Sequence, residues 1–171
     1  MDENDNPLAF DPLSTFFVPD SDELILYKKN HPLTNASAGV HPGEGFPDLA
    51  IFFDDSGSMD WKPLEGTGKY DDLIITIYSI LDWLKTQNFA SAIQYNFNAF
   101  SGTTRSTGWV DYYHVDALDP IIFNKQGSGT QISIPKLNNI FADFRKKTLI
   151  IITDGEIYNW NEVADIIEEH R

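Results

Sequence analysis

The sequence predicts an α/β layered fold with a mostly parallel central sheet. Short apolar runs, typical of strands buried on both faces, alternate with segments whose apolar residues recur at helical spacing. Such alternation favours parallel strands covered by helices. The 171 residues suit about one domain, and 42% of them are apolar, which is enough to build a core.

The first part of the chain differs in composition from the rest. Residues 1–46 contain several prolines, many Asp and Asn residues and only short apolar stretches. We expect an irregular arm here, in which residues 16–18 and 24–27 form either short strands or packing anchors. Residues 47–171 are expected to form the α/β domain.

The domain's predicted elements follow one another in a regular order. The run at 49–53 is a buried strand that ends at a polar turn, and apolar residues at helical spacing predict a helix over 69–86. The remaining predicted elements are strands over 92–100, 109–113 and 148–152, a glycine-rich loop at 127–130, a helix carrying Leu137, Ile140, Phe141 and Phe144, and a last helix carrying Val163, Ile166 and Ile167.

Composition excludes several classes of function. The absence of cysteine rules out disulfides, zinc–thiolate sites, iron–sulfur clusters and cysteine nucleophiles. The net charge of -14 argues against nucleic-acid and anionic-membrane partners, and it suits a protein that binds cations or a basic partner. Because the acidic N-terminus does not resemble a signal peptide and no apolar run could span a bilayer, we expect a cytoplasmic protein.

Two polar loops, 54–58 and 153–155, follow predicted strands, and a third, 127–130, precedes a predicted helix. In a parallel sheet the ligand site lies beyond the carboxyl ends of the strands, so we expect these loops to form it. Their side chains offer hydroxyl and carboxylate oxygens, and no imidazole or thiolate. Such donors suit a hard divalent cation, Mg²⁺ first, with Mn²⁺ or Ca²⁺ as alternatives. The candidate metal ligands are Asp54, Ser56, Ser58, Thr130 and Asp154.

The order of these motifs resembles the von Willebrand factor type A (VWA) family. Asp-x-Ser-x-Ser follows a buried strand, Gly-x-Gly-Thr precedes a helix, and Thr-Asp-Gly follows another strand. The likeness includes Ser-Gly-Ser-Met at 56–59 and Ile-Ile-Ile-Thr-Asp-Gly-Glu at 150–156, and it covers about residues 48–170. Three motifs in this order are far more specific than any one of them.

The resemblance implies a Rossmann-like domain with helices on both faces of the sheet and a metal-ion-dependent adhesion site (MIDAS). In that family the two serines and the threonine commonly bind the metal directly, the aspartates often act through water, and an acidic side chain of a partner protein completes the shell. It therefore implies a non-enzymatic interaction module. Intracellular VWA proteins often work beside AAA+ ATPases, which is the setting we expect.

The sequence departs from the family pattern at its C-terminal side. A VWA sheet usually has two more strands after the one that precedes Asp154, whereas this chain stops at Arg171. We expect either a domain truncated after its fourth core strand, or a sheet edge covered by the arm or by a second chain. Residues 102–122 also fit the family pattern poorly.

Other interpretations remain open from the sequence. The same aspartates could serve a Mg²⁺-assisted phosphotransfer or hydrolytic enzyme, or the site could be a turn that only stabilises the fold. Trp61 is either a packing anchor or a recognition residue. The neighbouring acidic residues are expected to be solvated surface charges, with Glu156 the best candidate for an outer-shell role: Asp60, Asp71, Asp72 and Glu156.

Overall fold

The computed structural model describes residues 15–17, 24–26, 47–142 and 144–170. The chain divides into two compact units, residues 1–41 and 42–171. In the first unit, β1 (Thr15–Phe17) pairs antiparallel with β2 (Leu24–Leu26), so the two short apolar stretches do form strands. The rest of the predicted arm lies outside the described residues.

The second unit is a mixed α/β fold around a four-stranded sheet. Its strands are β3 (Asp48–Asp54), β4 (Tyr95–Phe100), β5 (Thr104–Val110) and β6 (Lys147–Ile152), in the spatial order β5-β4-β3-β6. β3 pairs in parallel with both β4 and β6, while β5 pairs antiparallel with β4. The predicted α/β class with a mostly parallel sheet is confirmed at this level.

The helices of this unit pack against two separate groups of side chains. The helices are α1 (Lys69–Thr86), α2 (Asp119–Ile122), α3 (Ile134–Phe141) and α4 (Trp160–Glu169). Successive residues of a strand point to opposite faces. Accordingly, Ile51 of the fully buried β3 packs in one cluster with α1, whereas Phe52 packs in another with α3 and α4. Within the described part of the chain, no helix is both long and apolar enough to cross a membrane.

Several predicted boundaries are wrong, and the largest error lies after β4. The sequence predicted a strand over 109–113, whereas β5 occupies Thr104–Val110 and residues 112–118 form a 3₁₀ helix. A tight turn, in which the Ser101 N–H donates to the Thr103 carbonyl at 3.0 Å, reverses the chain directly into β5. The Asp111 carboxylate then accepts from the Tyr113 N–H and so caps the 3₁₀ helix.

The helix predicted to carry Phe144 is shorter than expected. α3 ends at Phe141, and Phe144 is fully exposed. The strand predicted over 92–100 begins only at Tyr95, because residues 90–92 form a 3₁₀ turn. By contrast, the helix predicted over 69–86 is confirmed from end to end as α1.

Asp71 is also placed differently from the prediction of a solvated surface charge. It is buried, and its Oδ2 atom accepts from the Lys62 N–H at 2.9 Å and from the Gly68 N–H at 3.0 Å. The carboxylate thus ties the loop before α1 to the first turn of that helix. Asp60, Asp72 and Glu156 are exposed, as expected.

Gly68, which precedes α1, has no room for a side chain. A Cβ atom there would lie 2.2 Å from the Asp60 carbonyl oxygen and 2.7 Å from Asp71 Oδ2. We therefore expect Gly68→Ala to lower the free energy of unfolding by about 2 kcal/mol, the usual scale of overpacking, as measured by urea denaturation. Gly155→Ala is the control, since its added Cβ would meet no atom within 4 Å. Equal stability of the two variants would contradict the prediction.

Candidate metal centre

The loop after β3 is joined to the loop after β6 through the carboxylate of Asp54. Phe53 and Ile152 are partners in adjacent parallel strands, so the residues that follow them meet at one edge of the sheet. Asp54 is completely buried. Its Oδ1 atom accepts from the Ser56 N–H at 2.8 Å, and its Oδ2 atom accepts from Thr153 Oγ1 at 2.6 Å. One carboxylate therefore fixes the geometry of both loops.

A row of side-chain oxygens continues from this buried carboxylate towards solvent. The hydroxyls of Ser56 and Ser58 are 2.9 Å apart at hydrogen-bond distance, and Ser58 Oγ donates to Asp154 Oδ1 at 3.0 Å. Ser56 is buried, whereas Ser58 is exposed. The structure thus brings together four of the five predicted ligands: Asp54, Ser56, Ser58 and Asp154.

The fifth predicted ligand, Thr130, lies on a third loop that packs against the first. The Gly57 N–H donates to the Ser128 carbonyl at 3.0 Å. A Cβ on Gly57 would lie 3.2 Å from the Gly127 carbonyl oxygen, so the close approach of the two loops favours glycine. Thr130 is 9% exposed. Within the described residues, no hydrogen bond links its hydroxyl to the other four predicted ligands.

Sequence reasoning gave no role to Asp55, which joins the loop after β3 to Arg105 and Gln126. Its completely buried carboxylate accepts from Arg105 Nη2 at 2.7 Å, from the Gln126 N–H at 3.0 Å and from Gln126 Nε2 at 3.1 Å. Arg105 Nη2 also donates to the Ile121 carbonyl at 2.9 Å. Asp55 therefore connects the loop after β3 to β5 and to the segment that leads into the third loop.

Two lysine ammonium groups lie beside the candidate centre. Lys69 Nζ donates to Asp154 Oδ2 at 2.6 Å, and this hydrogen bond, followed by the charge of Asp154, raises the pKa of Lys69 above its usual value. Lys125 Nζ donates to the Ser56 carbonyl. Lys125 also lies 5.6 Å from the ring centroid of Tyr70, whose pKa is raised by burial and then by the charge of Asp55.

Trp61 follows the first loop and packs inward. It is partly buried against the core, with its ring edge-to-face to Tyr70 at a centroid distance of 5.8 Å. This contact favours the packing-anchor interpretation over the recognition role.

The donor set contains more hydroxyls than carboxylates. Among the described residues, there is no group of three or more His, Cys, Asp or Glu side chains that could hold a metal ion. The predicted set has only two carboxylates, Asp54 and Asp154, so ion binding would depend on the serine and threonine oxygens as well.

Comparison with known proteins supports the fold alone. No family model and no curated protein matches the chain. Seven chains of solved structures match it. The pilus adhesin SpaC from Lactobacillus rhamnosus GG has a TM-score of 0.50 and 16% identity over 65% of this chain and 16% of SpaC.

Two further similar structures are of the PilB minor pilin from Streptococcus sanguinis. PilB has a TM-score of 0.45 and 18% identity over 66% of this chain and 31% of PilB. A variant of PilB in which an aspartate is replaced by alanine has a TM-score of 0.44 and 17% identity over 81% of this chain and 41% of the PilB chain. This chain therefore spans less than half the length of each of these proteins.

Proposed function

We propose that this chain is a divalent-metal-dependent protein-interaction module with a Rossmann-like fold and a MIDAS of the VWA type. The cation, Mg²⁺ first and Mn²⁺ or Ca²⁺ as alternatives, would be held by Asp54, Ser56, Ser58, Thr130 and Asp154. The main support is a chain of hydrogen bonds that joins two neighbouring strand ends: the Ser56 N–H donates to Asp54, the Ser56 and Ser58 hydroxyls bond to each other, and the Ser58 hydroxyl donates to Asp154. Three motifs that are distant in the sequence lie on adjoining loops of one sheet edge.

The residues present fit a hard cation. Every donor is an oxygen atom, which Mg²⁺, Mn²⁺ and Ca²⁺ prefer. Both oxygens of Asp54 already accept hydrogen bonds from the protein, so this buried carboxylate would act through water and orient Ser56. Direct coordination would fall to the hydroxyls of Ser56, Ser58 and Thr130, with Asp154 adding charge from its partly accessible position, where the side chain is 12% exposed.

The accessible end of the site determines what it can bind. A bound cation supplies a Lewis acid to which a carboxylate oxygen can coordinate. Because Ser58 is exposed while Asp54 and Ser56 are buried, a partner would approach from the side of Ser58 and Asp154. We therefore propose a partner protein that presents an Asp or Glu side chain there.

The biological setting is part of the proposal. We propose a cytoplasmic location beside an AAA+ ATPase system, on the family resemblance of the motifs. The names of the similar structures, a pilus adhesin and a minor pilin, suggest surface-protein assembly as the competing setting. Cell fractionation with an antibody against this chain separates the two, and recovery at the cell surface would overturn the cytoplasmic proposal.

A Mg²⁺-assisted phosphotransfer or hydrolytic enzyme is the alternative that uses the same aspartates. An attacking carboxylate must reach the substrate, whereas Asp54 is completely buried and both of its oxygens are hydrogen-bonded. This placement favours the interaction module. A phosphatase screen with Mg²⁺ tests the alternative, which turnover abolished by Asp54→Ala would support.

Calorimetric titration with Mg²⁺ and Mn²⁺, followed by a peptide array, tests the proposed function. We expect heat of binding, and then capture of the chain by peptides that contain Asp or Glu, with no capture by matched peptides that contain Asn or Gln. Capture should be lost in EDTA, because the partner's carboxylate would coordinate the ion. The absence of heat would favour a turn that only stabilises the fold, and capture unaffected by EDTA would place the binding surface elsewhere.

A further inference from the structure

Lys69 occupies a position that its own helix does not favour. It is the first residue of α1, where the helix dipole favours negative charge and disfavours an ammonium group. The acidic Asp71 and Asp72 in the same turn follow the usual preference. The favourable interaction of Lys69 lies outside α1, since its side chain, 59% exposed, reaches the carboxylate of Asp154 at 2.6 Å.

The two carboxylate oxygens of Asp154 accept hydrogen bonds from two different parts of the chain, the loop after β3 and helix α1. Oδ1 accepts from the hydroxyl of Ser58, and Oδ2 accepts from the ammonium of Lys69. The positive charge of Lys69 therefore lies directly on a carboxylate that we assign to the divalent ion. Since both cations are attracted to the same anion and repel each other, the ion and the ammonium oppose each other's binding.

We propose that Lys69 is a tethered cation that competes with the divalent ion for Asp154 and so sets the ion concentration at which the site fills. This inference rests on the proposed function. The contact suits such a role because ion pairs with an exposed lysine are weak, so the long side chain can move into solvent when the ion binds. Lys125 does not act in this way, because its ammonium contacts the Ser56 carbonyl.

Calorimetric titration of Mg²⁺ and Mn²⁺ into the 171-residue chain and three variants tests the inference. Lys69→Gln removes the charge, and we expect it to bind either ion roughly tenfold more tightly than the wild-type chain at low salt. Lys69→Arg keeps the charge and should bind like the wild type. The control Lys85→Gln removes a lysine from the last turn of α1, about 24 Å away along the helix, and should leave the affinity unchanged.

Added monovalent salt gives a second readout. The difference in ion affinity between Lys69→Gln and the wild type should become smaller as the KCl concentration is raised, because salt screens the repulsion between exposed charges. Thermal melts check that Lys69→Gln is folded, and a purely structural role for Lys69 would not produce tighter binding.

The outcomes separate this inference from the proposed function. Equal or weaker binding by Lys69→Gln, with binding by the wild type intact, would overturn the tethered-cation role alone. If neither the wild type nor any Lys69 variant binds an ion, both proposals fail. If Lys85→Gln binds the ion as tightly as Lys69→Gln does, the effect comes from the net charge of the protein, and the proposed role of Lys69 is also overturned.

Discussion

Replacing Asp154 with Asn should weaken Mg²⁺ binding by about 10- to 100-fold. The substitution removes one of only two carboxylates from the proposed ligand set, while it keeps the side-chain size and an oxygen that can accept from Ser58. Asp154 is a cleaner target than Asp54, because Asp54 is completely buried and holds two loops together. The affinity is measured by calorimetric titration of Mg²⁺ into the wild type and the variant.

Asp165→Asn is the matched control for this experiment. It makes the same chemical change on an exposed residue of α4, so it lowers the net negative charge equally without touching the site. The control should bind Mg²⁺ like the wild type. Circular dichroism should show that both variants are folded. An unchanged affinity in Asp154→Asn would mean that the ligand set has been assigned wrongly.

The parts of the fold that the sequence predicts well are those in which one periodicity dominates. The apolar spacing of α1 gives its full extent, Lys69–Thr86, and the uninterrupted apolar runs give the positions of β3 and β6. β5 was misplaced because its residues are polar and half-buried, and because its direction depends on the turn at 101–103, which a strand pattern does not reveal.

The candidate site was predictable where its residues follow strands of a parallel sheet. Parallel strands end at the same edge of a sheet, which predicts that Asp54 and Asp154 share that edge, and the observed pairing of β3 with β6 makes the two strand ends neighbours. The charged neighbours were not predictable, because their partners are distant in the chain. Nothing local to Asp55 indicates a bond to Arg105, and Lys69 resembles an ordinary exposed residue of α1 until Asp154 is placed beside it.

Asp55→Ala should lower the free energy of unfolding by about 3 kcal/mol, because removing one member of a buried ion pair leaves the other charge poorly compensated. Breaking a buried ion pair usually costs about 3–5 kcal/mol. Because the side chain of Arg105 is 26% exposed, solvent screens part of its charge, and the expected loss lies at the lower end of that range. The Gln126 N–H and Nε2 groups also lose their acceptor. Urea denaturation of the wild type and the variant, monitored by circular dichroism, measures the difference.

The comparison with a double variant tests whether the ion pair itself is responsible. In Asp55→Leu with Arg105→Met, no unpaired charge is left, so part of the lost stability should return relative to Asp55→Ala. Asp82→Ala removes an exposed carboxylate from α1, and it should leave the unfolding curve unchanged. If Asp55→Ala unfolds like the wild type, the carboxylate of Asp55 contributes little net stability, and the loop after β3 is held by its other contacts, among them the carboxylate of Asp54 and the hydrogen bond from Gly57 to Ser128.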